Sequence, residues 1–314
     1  MTKVKNAPAF YIFCMLVTYL FFFLLKAPTL ANESIINALN ICYTRVIPSL
    51  FPFMVLSEII VSSNIAEDIG NIFGKAVSKI LGIKKIASTA FILGCLFGFP
   101  LGTKTTVSLY EKGCVTKEET ERLICFCSNT GPAFVLGLVG SVLNKQIAFC
   151  IYLSQVISAF LIGLALRKNE ADIDIKQENT DRSFSILCVP QAITAAVFPI
   201  LNICAFVCFF SCISASVENI LTKLCLPESV QIFINGTLEI INGISRLQDC
   251  PVNAQSIFFA AFFVGWSGIS VILQSINITS KHSLSCKKFV TSKLIQGVLC
   301  AFLTLFVCKI LKIC

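Results

Sequence analysis

Long apolar segments separated by short polar stretches run through almost the whole chain. A helix needs about 20 apolar residues to cross a bilayer, so this pattern predicts an all-α polytopic membrane protein. The uninterrupted apolar segments, each a predicted span, are residues 9–25, 36–62, 147–166, 185–217 and 289–311. Residues 66–85 differ, because isoleucine and valine recur there at helical spacing between lysines. That stretch predicts an amphipathic helix on the cytoplasmic membrane surface.

Two apolar segments in the first half of the chain are interrupted by glycine, proline and polar residues. Residues 98–104 interrupt the segment 86–110, which is too short on either side of the interruption to span a membrane. We predict that this segment forms a re-entrant hairpin. The next segment is interrupted at 128–132, where Pro132 disfavours helical geometry at the residue before it. A discontinuous helix is expected there.

The second half of the chain repeats this order of elements. Residues 229–247 are interrupted at 235–237 and again at 242–243, which predicts a second hairpin. Residues 255–278 are interrupted at 265–270, which predicts a second discontinuous helix. We therefore predict an inverted-repeat transporter with two re-entrant hairpins and two discontinuous helices.

The distribution of charge sets the orientation of these elements. Charged residues make up 13% of the chain, the mean hydropathy is +0.84 and the net charge is +8. With the N-terminus inside, the basic clusters at 75–85, 167–168 and 281–288 fall on the cytoplasmic side, as the positive-inside rule requires. The first hairpin then enters from the cytoplasm and the second from the opposite face, which predicts a binding site near the membrane midplane.

The predicted units are N-terminal helices (1–85), a first repeat (86–167), a cytoplasmic linker (168–184), a connecting span (185–228) and a second repeat (229–314).

Residues in and near the four interruptions are the candidate substrate-binding residues. Ionisable side chains are costly in a membrane, so Lys104 and Arg246 are predicted to hold the two carboxylates of a small aromatic dianion. Phe99 or Trp266 is expected to stack on its ring. Glu239 is expected either to pair with Arg246 or to accept a proton that drives transport. In the alternative interpretation the two cations extend to opposite interfaces and Glu239 only neutralises one of them. The full candidate set is Gly98, Phe99, Pro100, Gly102, Thr103, Lys104, Ser128, Asn129, Thr130, Asn235, Thr237, Glu239, Arg246, Trp266, Ser267, Ser270 and Gln274.

Other functions lack the residues they need. The one histidine, His282, lies in a basic loop, which excludes a Ser-His-Asp triad and a histidine metal site. Most of the 17 cysteines lie in apolar segments, and no paired C-x-x-C pattern occurs. A P-loop requires glycine directly before lysine, whereas Thr103 separates Gly102 from Lys104. We therefore expect that the protein is not an enzyme, has no metal site and binds no nucleic acid. The only cofactor expected is a coupling ion, either a proton or sodium.

Four motifs together resemble a known family. They are GFPLGTKTT (98–106), CFCSNTGPAFVLGLVG (125–140), NGTLEIINGI (235–244) and FFVGWSGISVILQ (262–274). The set resembles the sporulation integral membrane proteins of endospore-forming bacteria. Those proteins carry a nucleoside-recognition or Gate domain, and the order of their elements is similar to that of concentrative nucleoside transporters. The resemblance covers residues 40–310 and implies a central substrate site between the hairpins and discontinuous helices. It also implies transport of dipicolinate across the outer forespore membrane by alternating access.

The motifs depart from those of nucleoside transporters where the ligand binds. In those transporters a Gln-Thr-Glu type signature in the first hairpin binds nucleoside, whereas residues 98–105 here contain Lys104 and no acid. The Asn-Glu signature of their second hairpin is matched loosely by Asn235, Thr237 and Glu239. We therefore expect a small organic anion, dipicolinic acid, as the substrate of a bilayer protein whose architecture also suits a homo-oligomer. Two alternatives stay open: a transporter of nucleosides or other organic solutes on the same fold, and a non-transporting sporulation membrane scaffold.

Overall fold

The computed structural model describes residues 7–62, 65–168 and 188–313. These parts of the chain form sixteen α-helices and contain no strand. Two π-helical segments, Cys42–Val46 and Val135–Val139, and a 3-10 turn at Leu247–Asp249 adjoin the helices. The predicted linker at 168–184 lies outside the described residues, except for Lys168. The helices are α1 (Ala7–Lys26), α2 (Pro28–Ile41), α3 (Ile47–Ser62), α4 (Ile65–Leu81), α5 (Ser88–Phe97), α6 (Leu101–Glu111), α7 (Lys117–Cys127), α8 (Pro132–Phe134), α9 (Gly140–Val142), α10 (Lys145–Ala165), α11 (Cys188–Lys223), α12 (Glu228–Leu238), α13 (Ile240–Arg246), α14 (Ala254–Trp266), α15 (Gly268–Ser280) and α16 (Lys287–Ile310).

Six helical units in the described parts are long and apolar enough to cross a membrane. They are Pro28–Ile60, Lys117–Val142, Lys145–Ala165, Cys188–Lys223, Ala254–Ser280 and Lys287–Ile310. The all-α polytopic membrane fold predicted from the sequence is therefore confirmed. Two shorter apolar helices, Phe10–Lys26 and Ser88–Phe97, accompany them.

Two charged residues near the ends of predicted helices, Glu218 and Lys84, form ion pairs with residues far away in the sequence. The span predicted at 185–217 continues as α11 to Lys223, and Glu218 in its last turns forms an ion pair with Arg246 of α13. The amphipathic helix predicted at 66–85 ends earlier, at Leu81. Lys84 is therefore not on a helix surface: it is buried, with its Nζ 3.1 Å from the Glu119 carboxylate. Long-range ion pairs of this kind leave no local signal in hydropathy.

The first hairpin consists of α5 and α6, which meet at residues 98–100. Gly98 has a φ of +79°, a left-handed conformation that favours glycine, and the Phe99–Pro100 bond is cis. The two arms approach closely because they face each other through Gly94 and Gly102. A Cβ atom on either glycine would lie 1.9 Å from the carbonyl oxygen of Cys127 in α7. The hairpin is thus packed directly on the first discontinuous helix.

The second hairpin consists of α12 and α13 and turns at one residue, Glu239, which has an extended backbone. The interruptions predicted at 235–237 and 242–243 are therefore wrong in detail, since both lie within helices. Their glycines serve packing instead. A Cβ atom on Gly243 would lie 2.2 Å from the Cα of Gly236, and one on Gly236 would lie within 2.5 Å of the Phe263 ring. This hairpin is likewise packed on the discontinuous helix that follows it.

Both discontinuous helices break where the preceding hairpin turns. Residues 128–131 separate α7 from α8, and a Cβ atom on Gly98 would lie 2.5 Å from the Gly131 nitrogen. Ser267 alone separates α14 from α15 and has a φ of 74°. A Cβ atom on Gly268 would lie 3.0 Å from the backbone nitrogen of Ile240. In each half of the chain, the hairpin tip therefore contacts the helix break.

The last helix, α16, packs along α7, α10 and α14. The Ser285 backbone nitrogen, just before α16, donates to the Glu121 carboxylate near the start of α7 at 2.7 Å. Farther along both helices, Lys293 Nζ donates to the Ser128 carbonyl oxygen at 2.9 Å. The helices α7 and α16 therefore run parallel from the same end of the bundle.

The glycine contacts of the first hairpin give a stability prediction. We expect Gly102→Ala to lower the free energy of unfolding by about 3 kcal/mol, because the added Cβ would overlap the rigid backbone at Cys127. The melting temperature of the purified protein in detergent measures this effect. Gly137→Ala is the matched control, since apart from neighbouring residues of its own helix no atom lies within 4 Å of its Cβ position. Equal melting temperatures for the two variants would contradict the packing described above.

Candidate functional site

Side chains at the interruptions hydrogen-bond to one another's backbone. Thr130 Oγ1, in the first helix break, donates to the carbonyl oxygen of Val264, just before the second break, at 3.0 Å. Trp266 Nε1, beside the second break, donates to the carbonyl oxygen of Thr237, near the tip of the second hairpin, at 3.0 Å. The tip of the first hairpin joins them through its glycine contact with the first break. All four interruptions thus meet in one region, the central layer, formed by residues 97–104, 128–132, 235–240 and 264–274.

The central layer is buried and lies deep within the helical bundle. The helix α7 has 11 residues before its break, which corresponds to a rise of about 16 Å, half of the roughly 30 Å hydrocarbon thickness of a bilayer. The polar candidate residues that are fully enclosed there are Thr103, Ser128, Asn129, Thr130, Asn235, Glu239, Ser267, Ser270 and Gln274. A polar layer at this depth must be satisfied by protein or ligand, because lipid offers no partner.

Side chains of the two uninterrupted spans α10 and α16 form hydrogen bonds with the polar groups of the first break. Lys293 Nζ of α16 donates to the Ser128 carbonyl at 2.9 Å and to Gln296 Oε1 at 2.8 Å. Gln296 Nε2 donates to Asn129 Oδ1 at 2.8 Å. On α10, Gln155 Nε2 donates to the carbonyl oxygen of Thr130 at 3.0 Å. None of these three side chains is among the site residues predicted from the sequence, although lysine and glutamine inside an apolar segment are a detectable signal.

Other polar atoms of the central layer have no hydrogen-bond partner within the described part of the chain. The helix α15 packs against α6 and α12, so it brings its own polar face next to both hairpins. Ser267 lies directly before this helix, and Ser270 and Gln274 within it are four residues apart and share one side. The unpartnered atoms are Thr103 Oγ1, Asn235 Oδ1 and Nδ2, Ser267 Oγ, Ser270 Oγ and Gln274 Oε1. Buried atoms of this kind are available to a polar ligand.

The two candidate cations are each paired with a carboxylate, and Arg246 is the last residue of α13, away from the turn of its hairpin. Lys104 of α6 forms an ion pair with Glu58 of α3, and Arg246 of α13 forms one with Glu218 of α11. Both cations keep partial exposure, with 47% of the Lys104 side chain and 38% of the Arg246 side chain accessible. Glu239 is fully buried and its carboxylate accepts from the Asn242 backbone nitrogen at 2.8 Å, so it caps α13.

The remaining candidates shape the hairpin tips. Gly98 and Pro100 form the first turn, and the Phe99 ring lies 6.5 Å from the Phe134 ring, between centroids. The Thr237 hydroxyl bonds within its own helix, so only its carbonyl reaches across to Trp266. Trp266 is therefore an anchor between a hairpin and a helix break as well as a candidate aromatic surface.

Titratable groups outside the layer do not assemble into a metal centre. In residues 7–62, 65–168 and 188–313, no three His, Cys, Asp or Glu side chains cluster in a way that would hold an ion. His282 is engaged elsewhere: its Nε2 lies 2.9 Å from the Glu111 carboxylate, and its ring contacts Tyr110. This contact joins the loop after α15 to the open end of the first hairpin.

The sequence pattern of the Gate family, described as nucleoside recognition, matches residues 43–216. This match covers more than half of the chain and includes the first hairpin and the first helix break. The chain belongs to the Gate family. It is also similar to the sporulation integral membrane protein YlbJ of Bacillus subtilis strain 168, with 23% identity over 337 aligned positions. That alignment covers 94% of this chain and 83% of YlbJ, so it includes the second hairpin and the second break, which the Gate match leaves out.

Membership in the Gate family and the six membrane-length helices make the chain an integral membrane protein. The expected Gate family is therefore confirmed. The site residues predicted from the motifs stay a proposal, because the comparisons concern whole segments and assign no role to a side chain.

The contact between the two breaks gives a second stability prediction. We expect Thr130→Val to lower the free energy of unfolding by about 1 to 3 kcal/mol, because it removes the donor to a buried carbonyl oxygen. Thr194→Val is the matched control, since the Thr194 hydroxyl is exposed and bonds only within its own helix. Melting temperatures in detergent compare the two. A Thr130→Val protein as stable as the control would mean that the breaks do not depend on this contact.

Proposed function

We propose that the protein transports a small organic anion across the membrane by alternating access. The observation that carries this proposal is the set of unpartnered polar atoms where both hairpin tips and both helix breaks meet. A structural kink has no need of buried donors and acceptors without partners, whereas a binding site does. The carboxylates of the substrate would accept the missing hydrogen bonds from Thr103 Oγ1, Asn235 Nδ2 and Ser270 Oγ.

The arrangement of contacts supports an inverted repeat with the predicted units. The start of α7 and the open end of the first hairpin both contact the loop that follows α15, through Glu121 and Glu111. The second discontinuous helix therefore ends where the first one starts. With its helices running in opposite directions, the second half would present its hairpin from the opposite face. Such pairs rock against each other around a fixed midplane site in alternating access.

Dipicolinate is our proposed substrate, and the outer forespore membrane our proposed location. The similarity to a sporulation protein supports both. The chemistry supports an anion, because each hairpin carries one partly exposed cation that a carboxylate already holds. A substrate with two carboxylates would replace Glu58 at Lys104 and Glu218 at Arg246. Each exchange would release a hairpin from α3 or α11 and so link binding to movement.

One observation favours a second candidate substrate. The matching family is described by nucleoside recognition, and the amide oxygens Asn235 Oδ1 and Gln274 Oε1 can accept from the donor groups of a nucleoside. A non-transporting scaffold is the third possibility, and it would have no use for the polar atoms of the central layer.

Uptake into proteoliposomes distinguishes these functions. We expect labelled dipicolinate to accumulate and labelled uridine not to, and Ser270→Ala to reduce the uptake rate about tenfold or more, because it removes a hydroxyl that donates to a carboxylate of the substrate. Asn277→Ala is the matched control on the same helix, since that side chain is exposed, and its rate should equal the wild-type rate. Uptake of uridine alone would favour the nucleoside transporter, and uptake of neither compound would favour the scaffold.

The ion pair between Glu58 and Lys104 predicts that substitutions of its two partners change the KM in opposite directions. We expect Glu58→Gln to lower the KM for dipicolinate by up to about fivefold, because the competing carboxylate is lost from a partly exposed pair. Lys104→Gln should raise the KM. Glu33→Gln, on the exposed side of α2, should leave it unchanged. If Glu58→Gln raised the KM as Lys104→Gln does, the exchange of carboxylates would be wrong.

A further inference from the structure

The side chain of Lys293, which reaches the first break from α16, is the most deeply buried lysine or arginine side chain among the described residues. It is only 1% exposed and belongs to α16, a span that the hydropathy pattern treats as uniformly apolar. Within the described parts of the chain, no carboxylate forms an ion pair with it. A buried ammonium without a carboxylate must be compensated by dipoles, because its transfer from water is otherwise very costly.

Two oxygen atoms compensate the charge, and one of them lies at the C-terminal end of the half-helix α7. Lys293 Nζ donates to the carbonyl oxygen of Ser128, which is the C-cap of the eleven-residue helix α7. The unpaired carbonyls of a helix C-terminus carry about half a negative charge. The second acceptor is Gln296 Oε1 at 2.8 Å. Both partners are neutral oxygens, and Gln296 is itself oriented by Asn129 in the same break.

This set of ligands is the one that a discontinuous membrane helix presents to a small cation. Unwound backbone carbonyls and half-helix C-termini coordinate sodium or a proton carrier in transporters built from broken helices. Here the corresponding oxygens are occupied by a side chain of the protein. We propose that the Lys293 ammonium is a tethered cation that fills the cation-binding position at the first helix break, so that the break requires no sodium.

A tethered cation has consequences for stability and for coupling. The break between α7 and α8 should be held closed against α16 at any sodium concentration, because the cation cannot dissociate. Removing the ammonium should leave a space lined by the Ser128 carbonyl and Gln296 Oε1, and small cations from solution should then bind there. For transport, which rests on the function proposed above, the tether predicts uptake that is independent of sodium.

The first test measures melting temperature in detergent and needs no transport. The buffers contain choline chloride, sodium chloride or methylammonium chloride at equal ionic strength. We expect Lys293→Ala to melt below the wild type in choline and to regain on the order of 3 °C or more in sodium or methylammonium, because a ligand that binds the folded state stabilises it. The wild type should respond to neither cation.

Two variants serve as controls for this test. Lys293→Met fills most of the same volume without a charge, so it should be destabilised and should not respond to the cations. Lys288→Ala removes an exposed lysine from the first turn of the same helix and should behave as the wild type. Lack of a response to both cations in Lys293→Ala, or an equal response in Lys293→Met, would overturn the proposal. A wild type stabilised by sodium would also overturn it.

The second test measures dipicolinate uptake by the wild-type protein with choline in place of sodium on both sides of the membrane. We expect the rate to stay within about threefold of the rate in sodium, whereas a larger loss would overturn the tethered cation. The transport function and the tethered cation can be refuted independently of each other. Absence of any uptake would refute the transport function, and the melting experiment would still decide whether Lys293 occupies a cation site.

Discussion

Backbone groups released by a helix break inside a bilayer must find partners within the protein, and the rest of this structure depends on that constraint. Side chains bond to the backbone of both breaks and of the second hairpin tip. Gln155 reaches the Thr130 carbonyl oxygen and Trp266 reaches the second hairpin, whereas Lys293 reaches Ser128 and Thr130 reaches Val264. Because the last two bonds join the first half of the chain to the second, satisfying the backbone also ties the two halves together.

The same constraint explains why hairpins and broken helices occur in contacting pairs. A glycine lies at each contact between a hairpin tip and the break that follows it: Gly98 of the first tip faces Gly131, and Gly268 of the second break faces Ile240. Close backbone approach shields the freed groups from lipid and needs residues without a Cβ atom. The glycines within the hairpin arms have the same function, which is why Gly236 and Gly243 lie inside helices although they look like turn residues in the sequence.

Local signals allowed most of the fold to be predicted. Clusters of glycine, proline and polar residues located both breaks, and apolar length located the spans. The turn of the second hairpin was misplaced because glycine marks close packing as well as turns. Lys293 was missed because one lysine barely changes the average hydropathy of a 24-residue helix. The partners of Lys104 and Arg246 could not be predicted, because they lie 46 and 28 residues away along the chain.

The central layer therefore contains two classes of polar group with different roles. Backbone carbonyls at the breaks are already bonded to side chains, so a substrate would have to displace a protein donor to reach them. The unpartnered atoms are instead side chains on α15 and on the hairpins. Recognition through side chains on three separate elements lets a substrate favour one arrangement of those elements over another. Binding can then shift the equilibrium between inward-open and outward-open states, since only differential contacts do so.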